Sequence, residues 1–181
     1  IWFDAHGDLN TGDTSPSGNI HGMSLAANIG LGSPHLTHCG GEGAKISPEH
    51  VVVIGARDLD PGEKQIIREQ GITVFTMHEI DRMGMARVMD EALKVVTNGT
   101  DRVHLSFDLD VIDPNEAPGV GTPVPGGLTF RESHLALEMI AAAAILTSAE
   151  FVEVNPILDE GNKTAELAVA LIGSVLGERV L

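Results

Sequence analysis

The chain has 181 residues, 43% of them hydrophobic, which fits a single globular domain over 1–181 with a packed core. Its formal charge of −15 argues against a nucleic-acid or anionic-membrane partner, whose phosphates it would repel, and no apolar run approaches the roughly 18 residues of a membrane span. Cys39 is the only cysteine and no signal peptide is visible, so an internal disulfide is excluded and we expect a reducing, cytoplasmic setting.

Apolar runs of strand character alternate with helical patterns along the chain, which favours an α/β fold with a mainly parallel sheet. In chain order, the predicted strands span 1–4, 51–54, 73–76, 103–107 and 148–152. The predicted helices span roughly 22–30, 61–70, 84–97, 131–144 and 163–176. Because a domain seldom begins inside a core strand, the apolar start at Ile1 predicts that an upstream portion is missing.

Two acidic clusters follow the first and the fourth predicted strands. Asp4, His6 and Asp8 occupy alternate positions in one, and Asp108 and Asp110 do so in the other. Side chains of a strand point to opposite faces in turn, so each segment places its acids, and the histidine, on one side. If the two strands are neighbours, four carboxylates and one imidazole converge.

A long loop rich in Gly, Pro, Asn, Ser and Thr follows each acidic cluster, over 9–21 and over 111–130. Ligands of open α/β sheets bind at the carboxyl ends of the strands, where such loops gather. Long loops in a compact domain are usually functional. The second loop matches neither GxGxxG nor GxxxxGKS/T, so its glycines do not indicate a phosphate site.

The chemistry predicted at these strand ends is the binding of divalent metal ions. Like charges disfavour one another's ionisation, so four neighbouring carboxylates need positive charge between them. Carboxylate and imidazole ligands suit Mn²⁺, Mg²⁺, Fe²⁺ or Zn²⁺, and Mn²⁺ accepts both kinds. Because carboxylates can bridge, two ions are favoured over one. The alternative is that these acids only cap strand ends and bond to the backbone of loops.

DAHGD at 4–8 and SFDLDVIDP at 106–114 resemble the motifs of the ureohydrolases, the dinuclear manganese enzymes that include arginase and agmatinase. The arginase branch looks most similar, through SPSGNIHGM at 15–23, GARDLDPGE at 55–63 and EVNP at 153–156. The resemblance implies an arginase/deacetylase-like fold: three αβα layers around a mainly parallel sheet, with the N-terminal strands absent from this chain. It also implies two Mn²⁺ per subunit and a homotrimer or homohexamer.

By this resemblance, Asp4 and Asp108 bridge the two ions. His6 and Asp110 complete the outer site, and Asp8 belongs to the inner site. The last inner ligand of the family is a histidine in a Gly-Gly-Asp-His motif, which this sequence does not contain.

The resemblance also assigns catalytic and substrate-binding residues. Asp8 hands a proton to the leaving amine, His21 shuttles protons, and Glu153 pairs with the substrate guanidinium. An unperturbed histidine pKa of about 6.5 suits such a shuttle. The substrate-binding residues lie in the loops: Asn10 and Ser17 contact the α-carboxylate, Asp60 and, less directly, Glu63 contact the α-amino group, and Thr122 lies beside the metals. Asn19 is also predicted to bind substrate, with no particular group assigned to it.

The leading hypothesis is hydrolysis of L-arginine to L-ornithine and urea by a metal-bridging hydroxide. Agmatinase or another ureohydrolase is the alternative within the family, and agmatine has no carboxylate for Asn10 and Ser17 to bind. A non-enzymatic alternative is an incomplete metal-binding domain that forms an interface without turnover. Metal-dependent phosphoester hydrolysis lacks the Arg or Lys clamp expected beside a transferred phosphate.

Overall fold

The computed structural model describes residues 1–178 and is built around one five-stranded sheet. Its strands are β1 (Trp2–Phe3), β2 (Val52–Ala56), β3 (Thr73–Thr76), β4 (Val103–Asp108) and β5 (Leu146–Val152). They lie in the order β3-β2-β1-β4-β5, and every neighbouring pair is parallel. The predicted parallel α/β sheet is therefore confirmed, with each strand end within two residues of its predicted position.

The helices agree with the sequence in four of five cases. The α-helices are α1 (Ser24–Asn28), α2 (Pro34–Thr37), α3 (Pro61–Gln70), α4 (Met77–Met83), α5 (Met85–Val96), α6 (Phe130–Ala143) and α7 (Lys163–Val175). The predictions for α3, α5, α6 and α7 are confirmed to within one residue. The helix predicted over 22–30 is wrong as a single element, because it is divided into a 3₁₀ turn over Ile20–Met23 and the short α1.

Helix α4 is the larger of two α-helices that the sequence patterns did not predict. It begins directly after β3, with Thr76 as its N-cap, so no loop separates the strand from the helix. The hydroxyl of Thr76 accepts a hydrogen bond from the N–H of His78, and the carboxylate of Glu79 accepts one from the N–H of Thr76. This capping box stabilises the start of a helix whose sequence is too polar for a clear apolar stripe.

Helices cover both faces of the sheet and form two cores. The larger core packs α4 to α7 against one face, around side chains such as Phe3, Leu105 and Leu137. The smaller core packs α1 and α3 against the other face, around Leu25 and Ile66. The three-layer αβα arrangement is confirmed. Within residues 1–178, no helix is both long and apolar enough to cross a membrane.

The strand order reverses between β1 and β4, and this reversal positions the site. From β1 the chain passes to β2 and β3 on one side, and it then crosses to β4 and β5 on the other. In the register of the central pair, Phe3 lies opposite Phe107, so the residues that follow them come to the same edge. A crevice opens at such a reversal, where the flanking loops diverge.

Candidate metal centre

The two acidic clusters meet at the carboxyl ends of β1 and β4. The register places Asp4 beside Asp108, one residue beyond the last paired residues of β1. His6 Nδ1 lies 3.3 Å from Asp4 Oδ1 and 3.0 Å from Asp110 Oδ2. One ligand atom from each of Asp4, His6 and Asp110 lies within 4.8 Å of the other two, a spacing that can hold a metal ion.

These residues converge through turns and not along regular strands, so the predicted cause of the convergence was wrong. β1 ends at Phe3, and the carboxylate of Asp4 then accepts a 2.7 Å hydrogen bond from the N–H of His6. The carboxylate of Asp108 likewise accepts a 2.7 Å bond from the N–H of Asp110, within a 3₁₀ turn. Each strand-end carboxylate thus folds the next two residues back toward the same cavity.

Further donors fix the orientation of the carboxylates. Trp2 Nε1 donates to Asp4 Oδ2 at 3.1 Å. Asp110 accepts from two sides, from the N–H of Ala5 at 3.1 Å and from Thr122 Oγ1 at 3.0 Å. The bond from Ala5 joins the two acidic clusters directly, because it links the backbone after β1 to a side chain after β4.

Asp8 enters the cavity on a left-handed backbone, with φ of 53°. Its Oδ2 accepts a 2.6 Å hydrogen bond from Ser24 Oγ. Glu153, just beyond β5, has a φ of 65°, so two of the predicted catalytic residues hold a conformation that costs about 1–3 kcal/mol outside glycine. Backbone strain of this kind persists where the surrounding structure enforces it, and it is concentrated at functional sites.

One cavity of about 240 Å³ brings together all five predicted metal ligands. The same cavity is lined by three more predicted site residues, His21, Thr122 and Glu153. It is also lined by Ser106, the first residue of SFDLDVIDP, and by four residues outside the motifs: Trp2, Ser24, Glu150 and Val152. Of these four, Ser24 was the easiest to find, because it directly follows the loop motif that ends at Met23.

Burial and mutual repulsion favour protons on part of the acidic cluster. Burial, followed by repulsion from Asp4, raises the pKa of Asp108 to about 10 and that of Asp8 to about 8. Hydrogen bonds to Asp110 and Asp4 raise the pKa of the His6 imidazole to about 11. Burial opposes the ionisation of Asp110, but its bond with His6 holds the pKa of Asp110 below the usual range.

The directions of these pKa shifts indicate whether the residues fit a metal ion. The buried carboxylates can all be ionised near neutral pH only if cations lie between them. Carboxylate oxygens and one imidazole nitrogen are ligands that Mn²⁺ and similar divalent ions accept. The donor set and its charge therefore fit divalent metal ions.

A second cavity, of about 110 Å³, adjoins the first. His6, Asp8 and His21 line both cavities, so the acidic cluster lies at their junction. The second cavity contains the remaining residues predicted to bind substrate: Asn10, Ser17, Asn19, Asp60 and Glu63. Its lining also includes Ser15 and Gly22 of the SPSGNIHGM segment and Asp58 of the GARDLDPGE segment.

The polar residues at the floor of the second cavity are fixed by one another. Asn10 Nδ2 donates to Asp60 Oδ2 at 2.8 Å. The buried carboxylate of Glu63 accepts from the N–H of Asp60 at 2.9 Å and from the N–H of Leu9 at 3.1 Å. Burial raises the pKa of Glu63 above its usual value. Because both of its oxygens bond to the backbone, Glu63 holds the loop beside Asp60 and Asn10 in place.

Comparison with known proteins agrees with this geometry. A family model described as the arginase family matches residues 1–177. The arginase of Bacillus caldovelox is 67% identical over 181 residues, and the arginase of Brevibacillus brevis is 64% identical over the same length. Each alignment covers all of this chain but only 60% and 61% of the relative, so the chain spans about three fifths of their length.

Solved structures give the same result. The native structure of Bacillus caldovelox arginase at pH 5.6 superposes with a TM-score of 0.98, over 99% of this chain and 60% of that one. The arginase of Entamoeba histolytica, solved in complex with L-ornithine, is 39% identical and superposes with a TM-score of 0.91, over 98% of this chain and 59% of that one. By sequence and by fold, this chain belongs to the arginase family.

Proposed function

We propose that the protein containing this chain hydrolyses L-arginine to L-ornithine and urea at a centre of two Mn²⁺ ions. The observation that carries the proposal is the junction of the two cavities. An acidic, metal-competent cluster opens at His6, Asp8 and His21 into a second cavity with groups for an amino acid.

The charge of both cavities supports a cationic substrate. Among residues 1–178, neither lining contains a lysine or an arginine, whereas both contain several carboxylates. A guanidinium and an ammonium group match such a lining, and a phosphate ester does not. The related Entamoeba histolytica arginase, solved with L-ornithine, supports the same class of ligand.

Asp4, His6, Asp8, Asp108 and Asp110 would hold the metal ions. When bound, divalent ions lower the pKa of water to about 7 and so supply a nucleophile near neutral pH. Trp2, Thr122 and the backbone N–H of Ala5 keep the carboxylates oriented before any ion binds, which reduces the cost of assembling the site.

Glu153 would bind the substrate guanidinium through a charge-assisted pair that presents its carbon to the nucleophile. It lies in the wall of the metal cavity together with Thr122. The left-handed backbone at Glu153 sets its direction as the chain leaves β5. Pairing with a fixed carboxylate restricts the guanidinium to one plane, which lowers the entropic part of the barrier.

Asp8 and His21 would move the protons that the reaction requires. After water has added to the guanidinium carbon, the amine leaves only when its nitrogen is protonated, and Asp8 lies at the junction where this nitrogen would be placed. The hydrogen bond from Ser24 fixes its carboxylate. His21 is exposed and lines both cavities, so it can exchange protons between solvent and the leaving amine.

The other end of the substrate would lie in the second cavity. Asn10, Ser17 and Asn19 would bind the α-carboxylate, and Asp60 would bind the α-amino group. Glu63 would contribute through Asp60, whose backbone it holds. We also propose a homotrimer or homohexamer in solution and a cytoplasmic location. Sedimentation analysis of the intact protein tests the assembly.

Urea release by the intact, Mn²⁺-loaded protein, measured in parallel on L-arginine and agmatine, tests the proposed function. We expect kcat/KM for L-arginine to exceed that for agmatine by about a hundredfold or more, because the missing carboxylate leaves polar groups unpaired. Faster turnover of agmatine would assign the protein to another ureohydrolase activity. Metal binding without urea from either substrate would favour a non-catalytic metal-binding domain.

A further inference from the structure

Arg57, which directly follows β2, contacts the backbone beside the acidic cluster, although it lines neither cavity. Its half-buried guanidinium bonds to backbone carbonyls instead of to a side chain. Among the ion pairs of residues 1–178, none within 4.0 Å involves this arginine. Its charge is therefore not used to pair with a particular carboxylate.

The guanidinium connects the two loops that shape the metal cavity. One end nitrogen, Nη2, donates to the carbonyl of Asp110 at 2.7 Å and to that of Val124 at 2.6 Å. The other, Nη1, donates to Val111 at 3.1 Å and to Gly55 at 3.3 Å. Nε adds a 3.1 Å bond to Val124. All five donors of the planar fork are thus satisfied by carbonyls.

The backbone of the same residue reaches the first acidic cluster. The N–H of Arg57 donates to the carbonyl of Ala5 at 2.9 Å, and the N–H of Ala5 in turn donates to the Asp110 carboxylate at 3.1 Å. Arg57 therefore contacts the segment after β1, the turn after β4 and the loop at Val124. That loop also carries Thr122, which donates to Asp110.

We propose that Arg57 is a positioning residue for the metal centre, which clamps the Asp110 turn and the Thr122 loop through their backbone carbonyls. Its guanidinium fixes the direction of the Asp110 carboxylate without touching metal or substrate. The geometry of the fork is essential to this role, because it bonds to four carbonyls through three nitrogens, whereas the ammonium of a lysine has only three donors on one nitrogen. The proposal rests on the proposed function in that the clamped carboxylate is a metal ligand.

The test measures Mn²⁺ binding by titration calorimetry, without substrate, for the intact protein and for Arg57→Met, Arg57→Lys and Arg131→Met. Arg131 is an exposed arginine on α6 and serves as the matched control. We expect the two Arg57 variants to bind Mn²⁺ about 10- to 100-fold more weakly, as removal of a partner behind a metal ligand typically does. Arg131→Met should retain the parent affinity.

Several outcomes would overturn the clamp. Parent affinity in Arg57→Met would show that the residue does not act on the centre, and full rescue by Arg57→Lys would show that charge alone suffices. A role in overall stability alone would lower the melting temperature of a variant without weakening Mn²⁺ binding. The calorimetry contains no substrate, so its result does not depend on turnover. A protein that binds Mn²⁺ but releases no urea in the separate activity assay would contradict the proposed function, and the Mn²⁺ affinities of the variants would still decide the role of Arg57.

A second measurement covers the case in which a variant does not fold. In the metal-free parent, the Nε–H of Arg57 should exchange with solvent at least about 100-fold more slowly than that of Arg131, because a carbonyl accepts it in a half-buried position. Selective ¹⁵N-arginine labelling resolves the two signals. Equal exchange rates would show that the clamp is not formed.

Discussion

Phe3 and Phe107 lie opposite one another on β1 and β4, with their ring centroids 5.0 Å apart. Each is the last core residue before a strand-end aspartate, Asp4 or Asp108. The stacked rings therefore anchor the ends of the two strands in the larger core, directly before two adjacent carboxylates. The carboxylates of Asp4 and Asp108 are themselves buried, so their charge is poorly solvated and a bound cation would stabilise it.

Asp108→Ala should cause the loss of bound metal together with activity. Asp108 is a proposed metal ligand, so we expect Mn²⁺ affinity to fall by at least the roughly 100-fold seen when only an outer partner is removed. Metal analysis after dialysis measures this. Asp101→Ala, at an exposed position, is the control, and full metal content in Asp108→Ala would remove Asp108 from the ligand set.

His21→Asn should slow turnover while both ions stay bound. His21 is exposed and takes no part in the hydrogen bonds that join Asp4, His6 and Asp110, so its replacement leaves the acidic cluster intact. Loss of a proton shuttle typically costs about 10²- to 10⁴-fold in rate. Steady-state urea release and metal analysis check the two parts separately, with the exposed His35→Asn as control. A normal rate would show that protons leave by another route.

Ser17→Ala should weaken the binding of L-arginine without affecting agmatine. The hydroxyl of Ser17 lies in the second cavity, where it accepts a hydrogen bond from the N–H of Asn19 at 3.2 Å. A bond to a charged carboxylate is worth about 1.5–3 kcal/mol, which corresponds to a rise of about tenfold or more in KM for L-arginine. Agmatine is the internal control, and an equal rise for both substrates would place Ser17 away from the carboxylate.

The metal-free protein should become less stable as the pH rises from 6 to 8. The folded chain keeps protons on Asp8 and Asp108 up to pH about 8 and about 10, whereas these groups lose them near 3.8 when unfolded. His6 keeps its proton up to about 11 instead of 6.5. In this range the folded state binds more protons than the unfolded state, so the free energy of unfolding falls with increasing pH.

We expect a melting temperature at least about 3 °C lower at pH 8 than at pH 6 in EDTA, measured by thermal unfolding. Saturating Mn²⁺ should reduce or reverse this difference, because bound metal keeps the ligands deprotonated and binds more tightly as the pH rises. A metal-free protein that is equally stable at both pH values would show that the cluster does not retain its protons.

Strands β2 and β4 were predictable from the sequence because nearly all of their residues are buried. The run from Val51 to Ile54 is uninterrupted and apolar, as expected of a central parallel strand. Helix α4 was not predictable from the sequence, because its start depends on a capping box at Thr76 and not on a stripe of apolar residues. A local hydrogen-bond pattern of four residues carries less weight in a sequence than a run of hydrophobic side chains does.

The residues of the site were easier to predict than the reason they meet. Alternation predicted that Asp4 and His6 lie on one side, and they do, but a turn closed by the Asp4 carboxylate brings them there. Asp8 reaches the cavity through a positive φ, which no periodicity encodes. Arg57 was not predicted at all, because its partners are backbone carbonyls, and these leave no signature in the pattern of side chains.

The strand reversal between β1 and β4 separates two tasks that evolution can alter independently. The acids at the reversal are anchored to the sheet, whereas the groups facing the far end of a ligand are carried by the loop over 9–21 and the segment that begins α3. Under the proposed function, exchange of about a dozen residues in that loop would redirect the same metal centre to a different guanidino compound. A scaffold of this kind invites redesign of its selectivity by loop grafting, with the sheet left untouched.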